Sequence, residues 1–143
     1  MKEYHSNSVQ ETEAVAGRFA KELIPGDVVA YRGGLGAGKT AFTRGLAAGL
    51  GISADEVTSP TFTLVNEYRG DTAMLYHFDM YRVNGFEALY STGFFDYLDG
   101  SGILAVEWSE NISAELPGNA IIVTIMPTGE NSRRIIIEGG GRF

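Results

Sequence analysis

Apolar residues along the chain switch between two spacings, and the switches mark its elements. Val9, Val15, Ala16, Phe19, Ala20 and Leu23 recur at three- and four-residue steps, which predicts a helix over 8–23. Ser8-Val9-Gln10-Glu11 at its start has the spacing of a capping box. After the turn Pro25-Gly26-Asp27, the unbroken run Val28-Val29-Ala30-Tyr31 predicts a short buried strand. Residues 39–50 return to a helical pattern that Gly51 ends. A loop rich in Ser, Thr and acid follows over 53–60. Two β-branched and aromatic runs, 61–68 and 73–78, flank Arg69-Gly70-Asp71 and predict a hairpin. Residues 85–97 look helical, with Gly93 a candidate break, and 102–106 form a buried strand running into Glu107-Trp108. Two further strands, 120–126 and 134–137, are joined by Thr128-Gly129-Glu130-Asn131. Strands and helices in this order predict one α/β domain over 1–143 with a mixed, partly antiparallel sheet.

The bulk numbers narrow the chemistry. At 143 residues and 44% hydrophobic, the chain has the size and apolar content for one real core. It has no cysteine, which excludes disulfides and thiolate metal sites. The polar start Met1-Lys2-Glu3-Tyr4-His5-Ser6 lacks the apolar stretch of a signal peptide, and the longest apolar runs are strand-sized, so a cytoplasmic protein with no membrane contact is expected. The net charge is −7, from 11 basic and 18 acidic residues. Such a chain does not approach nucleic acid by counterion release, so any role in RNA biology runs through a partner. Asp96, Asp99, Glu107 and Glu110 group in sequence; they read as a solvated face, with a basic partner as the alternative.

One segment carries specific chemistry. Gly33-Gly34-Leu35-Gly36-Ala37-Gly38-Lys39-Thr40 fits G-x-x-x-x-G-K-T, lies between a predicted strand and a predicted helix, and continues into Ala41. Its glycines let the backbone approach phosphate closely, and successive N–H groups then form an anion nest at a helix N-terminus. Lys39 is placed to neutralise the β- and γ-phosphates, and the Thr40 hydroxyl to ligand Mg²⁺. The implied ligands are ATP and Mg²⁺, and the fold class becomes a three-layer P-loop NTPase-like domain.

Magnesium-nucleotide chemistry also needs a carboxylate near the metal, commonly after a buried strand. Glu107 and Asp79 both end apolar strands and are the two candidates; each could equally be a turn or cap residue. The hydroxyls of Ser59 and Thr61 either sense the γ-phosphate or form a plain turn. His77 reads as a hydrogen-bonded structural histidine. Arg82, Arg133 and Arg134 are candidate phosphate contacts that, taken alone, read as surface residues. Trp108, the sole tryptophan, is either core or an optical reporter beside Glu107.

Taken together, the P-loop, Ser59-Pro60-Thr61-Phe62-Thr63-Leu64-Val65-Asn66-Glu67-Tyr68, His77-Phe78-Asp79-Met80-Tyr81-Arg82 and Val106-Glu107-Trp108 resemble the bacterial TsaE (YjeE) family in order and spacing, over nearly the whole chain. The resemblance implies a small, weakly active ATPase of tRNA threonylcarbamoyladenosine modification. It implies that the protein works with TsaB and TsaD, which modify adenosine 37 with the adenylate that TsaC supplies, and meets tRNA only through that complex. It implies that ATP hydrolysis resets the complex between turnovers. By motif position, Thr40 and Glu107 correspond to the metal ligands and Lys39, Asp79 and Glu107 to the catalytic set. Asp79 acts there on water or on water-bound metal. Gly33, Gly36, Ala37, Gly38, Lys39, Thr40 and Ala41 hold phosphate, and Ser59 and Thr61 fall in a switch-like loop. Thr12 lies in the segment near the adenine, and Arg133 or Arg134 approaches the nucleotide from the C-terminal hairpin. One departure is Gly34, where the family carries an acid; it bears on affinity more than on function. Two other readings share the P-loop: a small phosphotransferase, for which no acceptor site or lid is visible, and a nucleotide-dependent binding module without turnover.

Overall fold

The computed structural model describes residues 1–34 and 36–143; Leu35 of the phosphate-loop motif lies outside the described residues. Among the described residues, seven strands form one sheet: β1 (Lys2–Ser6), β2 (Val28–Arg32), β3 (Val65–Arg69), β4 (Met74–Asp79), β5 (Gly102–Glu107), β6 (Ile121–Pro127) and β7 (Arg133–Gly139), in the order β1-β7-β6-β2-β5-β4-β3. The central neighbours β6, β2, β5 and β4 are parallel, and antiparallel partners flank them on both sides. The mixed sheet is the one the sequence predicts.

Helices cover both faces. α1 (Val9–Ala20) and α2 (Lys39–Gly49) pack over Val29, Tyr31, Leu75, Ile103, Ala105, Val123 and Ile135. On the other face, α3 (Gly85–Ser91) and the 3₁₀ turns Phe94–Asp99 and Ser109–Ile112 pack over Val28, Tyr76, Phe78, Leu104 and Val106. Adjacent residues within β4 and β5 fall in opposite layers, as the two-residue period of a strand requires. Fully buried side chains such as Phe42, Phe78 and Phe94 each contribute roughly 1.5–3 kcal/mol of transfer free energy.

Several boundaries shift for physical reasons. α1 starts at Val9 with Ser8 as N-cap, its Oγ accepting from Glu11 N at 3.1 Å. The reciprocal bond of the expected capping box is displaced by one residue, since Glu11 Oε2 accepts from Asn7 N at 2.7 Å. The strand expected over 61–68 begins only at Val65, because Leu64 takes a left-handed φ of 71° and folds the preceding residues into a turn. The helix expected over 85–97 ends at Ser91, and Gly93, with φ 81°, starts a separate 3₁₀ turn. β1 was not expected. Its sequence KEYHS is an edge strand paired with β7, so its signal is a polar alternation rather than an apolar run.

Candidate nucleotide site

β2 delivers the chain to the phosphate loop, and α2 receives it. Gly38 is the N-cap of α2 at φ 108° and ψ 17°, and among the described residues no side chain caps the helix. The first N–H groups of α2 therefore lack side-chain acceptors where an anion would sit. The glycines here are steric requirements. A Cβ on Gly33, with φ 150°, would lie 2.6 Å from the Ile125 carbonyl oxygen, and Gly36 has a left-handed φ of 74°.

The parallel pairing of β4 with β5 supplies the acids. Asp79 is in register with Glu107 at the C-terminal ends of both strands, so the two carboxylates are neighbours on one face. That face is the one α2 covers, because Leu75 and Ile103 on the same alternation belong to its core layer. A cavity of about 340 Å³ results, lined by Gly36, Ala37, Gly38, Lys39, Thr40, Ser59, Thr61, Asp79, Glu107 and Trp108. It lies beyond the carboxyl ends of parallel strands, where ligands bind in open α/β sheets.

Within the cavity the side chains are held in place. Asp79 Oδ1 accepts from Tyr81 N at 2.8 Å, and its Oδ2 accepts from the Thr61 hydroxyl at 3.2 Å. The Ser59 and Thr61 hydroxyls are 2.6 Å apart, so the loop over 58–64 is tied to the strand end through Asp79. Glu107 Oε2 is 2.6 Å from His77 Nε2. A carboxylate offers only acceptors, so Nε2 carries the hydrogen in this contact, and the buried His77 Nδ1 is left without a partner. His77 is thus hydrogen-bonded, as its sequence context suggests, but to a site carboxylate. His77 and Asp79 stand two apart on a strand, and that spacing is the signal that put them on one face.

Lys39 is buried, and its Nζ sits 4.7 Å from the centroid of the Trp108 ring. Such a contact is worth about 0.5–2 kcal/mol. Trp108 holds a left-handed backbone at φ 58° and ψ 38°, which costs a non-glycine residue about 1–2 kcal/mol. The Tyr81 ring meets its indole at 5.0 Å. Trp108 is therefore both part of the cavity wall and packed against the core layer that α3 covers. Beneath α2, the Tyr31 and Thr43 hydroxyls are 3.0 Å apart, and burial pushes the Tyr31 phenol up from its ordinary pKa.

The remaining candidates separate. Thr12, with its hydroxyl 2.6 Å from that of Ser6, lies outside the main cavity and lines a hollow of about 50 Å³ with Val9, Gly38, Ala41, Glu130, Asn131 and Arg133. Arg133 reaches the phosphate loop but meets its backbone. Nε donates to the Ala37 carbonyl at 2.8 Å and Nη2 to the Gly36 carbonyl at 3.1 Å, while Nη1 holds the carbonyls of Gly129, Glu130 and Ser132. Since the C=O and N–H of one peptide point in opposite directions, this grip turns the Gly38 N–H away from Arg133. Arg134 is bound to Glu3 by two 2.9 Å bonds, and its guanidinium holds the Glu3 carboxyl below its usual pKa. Arg82 stacks on Phe62 at 5.8 Å.

The donor set fits a hard cation. Thr40, Asp79 and Glu107 offer oxygens, and among the described residues no cluster of three or more His, Cys, Asp or Glu forms a self-sufficient metal cage. Magnesium suits such a site, since it takes one or two protein oxygens and completes its shell with phosphate and water.

Comparison with known proteins gives the family of the chain. The family described as "Threonylcarbamoyl adenosine biosynthesis protein TsaE" matches residues 6–135. The Bacillus subtilis protein named tRNA threonylcarbamoyladenosine biosynthesis protein TsaE is 40% identical over 132 residues, covering 92% of this chain and 82% of its own length. Its namesake from Aquifex aeolicus is 41% identical over 138 residues, covering 96% of both. The crystal structure of Bacillus subtilis YdiB superposes with a TM-score of 0.80 at 36% identity, over 99% of this chain and 88% of that one. With a family match across most of its length and a solved relative of the same fold, the chain belongs to the TsaE family of threonylcarbamoyl adenosine biosynthesis proteins.

Proposed function

We propose that this protein is a Mg²⁺-dependent ATPase, slow alone, that drives the cycle of a TsaB–TsaD complex in threonylcarbamoyladenosine modification of tRNA. The observation that carries the reading is the convergence of Lys39, Thr40, Asp79 and Glu107 on one cavity at the uncapped start of α2. The backbone N–H groups and Lys39 would hold the phosphates and stabilise charge on the γ-phosphoryl group, as phosphoryl transfer requires. Asp79, fixed through both oxygens, would orient the attacking water. Ser59 and Thr61 would report the state of the γ-phosphate through their link to Asp79. Thr40 and Glu107 would hold Mg²⁺, which supplies charge neutralisation when bound. The base would lie over the hollow beside Thr12 and Ala41, with Arg133 shaping the loop rather than touching phosphate. The setting would be the cytoplasm; among the described residues no helix is long and apolar enough to cross a membrane.

The direct test is phosphate release from Mg-ATP by the purified protein, alone and with TsaB plus TsaD. Slow release without any acceptor that rises with the partners is expected. Release only with a small-molecule acceptor would replace this reading by a phosphotransferase. Nucleotide binding with no release under any condition would replace it by a binding module.

Glu107→Ala is expected to raise the Mg²⁺ concentration for half-maximal turnover by at least about tenfold, with nucleotide affinity less affected. The change strips the buried His77 Nε2 of its partner, at about 1–3 kcal/mol of stability. Glu107→Gln keeps an acceptor there and separates the two effects. An ordinary Mg²⁺ titration in the glutamine variant would remove Glu107 from the metal shell.

A further inference from the structure

α3 exposes more aromatic surface than folding uses. Leu89 and Phe94 are fully buried and pin the segment to the core. Phe86 and Tyr90, one helical turn apart, remain 58% and 68% exposed. Their rings stack at 6.1 Å, and the half-buried Phe95 lies 5.7 Å from Phe86 and 6.4 Å from Tyr90. Three clustered aromatics on a surface mark an interaction site more often than a single exposed residue does.

Charge says what covers them. No lysine or arginine occurs between Val83 and Ser132, and the two charged residues at the patch, Glu87 and Asp96, are both acidic. The exposed Glu87 follows Phe86 in α3, and the exposed Asp96 shares a shallow hollow with Tyr90 and Phe95. A nucleic acid, an anionic lipid surface and a second copy of this face would all meet like charge. A protein surface carrying arginine and lysine meets both halves of the patch, since guanidinium groups stack on aromatic rings and pair with carboxylates.

We propose that the Phe86–Tyr90–Phe95 face, rimmed by Glu87 and Asp96, is the docking surface for a basic protein partner. It lies on the sheet face opposite α1 and α2. The choice of probe rests on the reading given under Proposed function: the TsaB–TsaD complex, immobilised, with binding of the full chain followed by interferometry at several salt concentrations. Two variants are compared with the unaltered protein, Phe86→Ala with Tyr90→Ala, and Glu87→Lys with Asp96→Lys. None of these residues lines the phosphate cavity, so phosphate release without partners and the thermal midpoint are expected to hold. Each variant should lose at least about tenfold in affinity, and the unaltered protein should bind more weakly as salt rises. Variants that bind and are stimulated like the unaltered protein overturn this surface and leave the proposed function standing. An unaltered protein that does not bind the complex at all overturns both.

Discussion

Lys39→Ala should lower phosphate release by about 10²- to 10³-fold or more while leaving the protein folded. Among the described residues, Lys39 is the only lysine or arginine lining this cavity, and it forms no ion pair. Its ammonium rests on Trp108, an interaction weaker than the pairing a phosphate offers, so a nucleotide can draw it off the ring. Charge developing on the γ-phosphoryl oxygens would lose its nearest side-chain cation in the variant. Stability should change little, because alanine is a better helix former than lysine and the lost cation–π contact is worth about 0.5–2 kcal/mol.

The same substitution carries a spectroscopic readout. With no other tryptophan in the chain, indole emission reports the Lys39 contact directly. ATP should shift emission in the unaltered protein and shift it far less in Lys39→Ala. Unchanged phosphate release in a correctly folded variant would show that hydrolysis takes place elsewhere or does not depend on this loop.

How far the sequence reaches depends on the range of the interactions. The glycine pattern from Gly33 to Gly38 is local, and so it announces the turn that leads into α2. Asp79 and Glu107 are legible as strand-end acids, but their adjacency depends on the parallel register of β4 with β5, which no local pattern encodes. The turn that carries Thr61 to Asp79 was hidden because Thr61 to Leu64 has strand-forming residues while Leu64 adopts a left-handed backbone. The sequence does not separate Arg133 from Arg134: the grip of Arg133 on the Gly36 and Ala37 carbonyls and the pairing of Arg134 with Glu3 both depend on how β7 packs. Trp108 against Lys39 is likewise a tertiary contact.

Gly45→Ala should destabilise the protein by about 3 kcal/mol or more, although alanine in place of a helical glycine ordinarily gains about 1 kcal/mol. The sign reverses because α1 and α2 touch backbone to backbone there. A Cβ on Gly45 would lie 2.2 Å from the Glu13 carbonyl oxygen and 2.7 Å from its Cα. Neither atom can rotate away, so one helix has to shift. Gly17, on the facing helix, is the control: its Cβ would meet only the Gly45 oxygen at 3.6 Å, an ordinary contact, and Gly17→Ala should be neutral or stabilising. Urea unfolding of the two variants reads the difference, and equal midpoints would mean that the helices do not approach as described. The consequence extends to function. Val9 and Thr12 on α1 and Ala41 on α2 share the hollow assigned to the base, so separating the helices widens it. Any Gly45→Ala protein that remains folded should therefore bind ATP more weakly than the Gly17→Ala control, although neither residue lines the phosphate cavity.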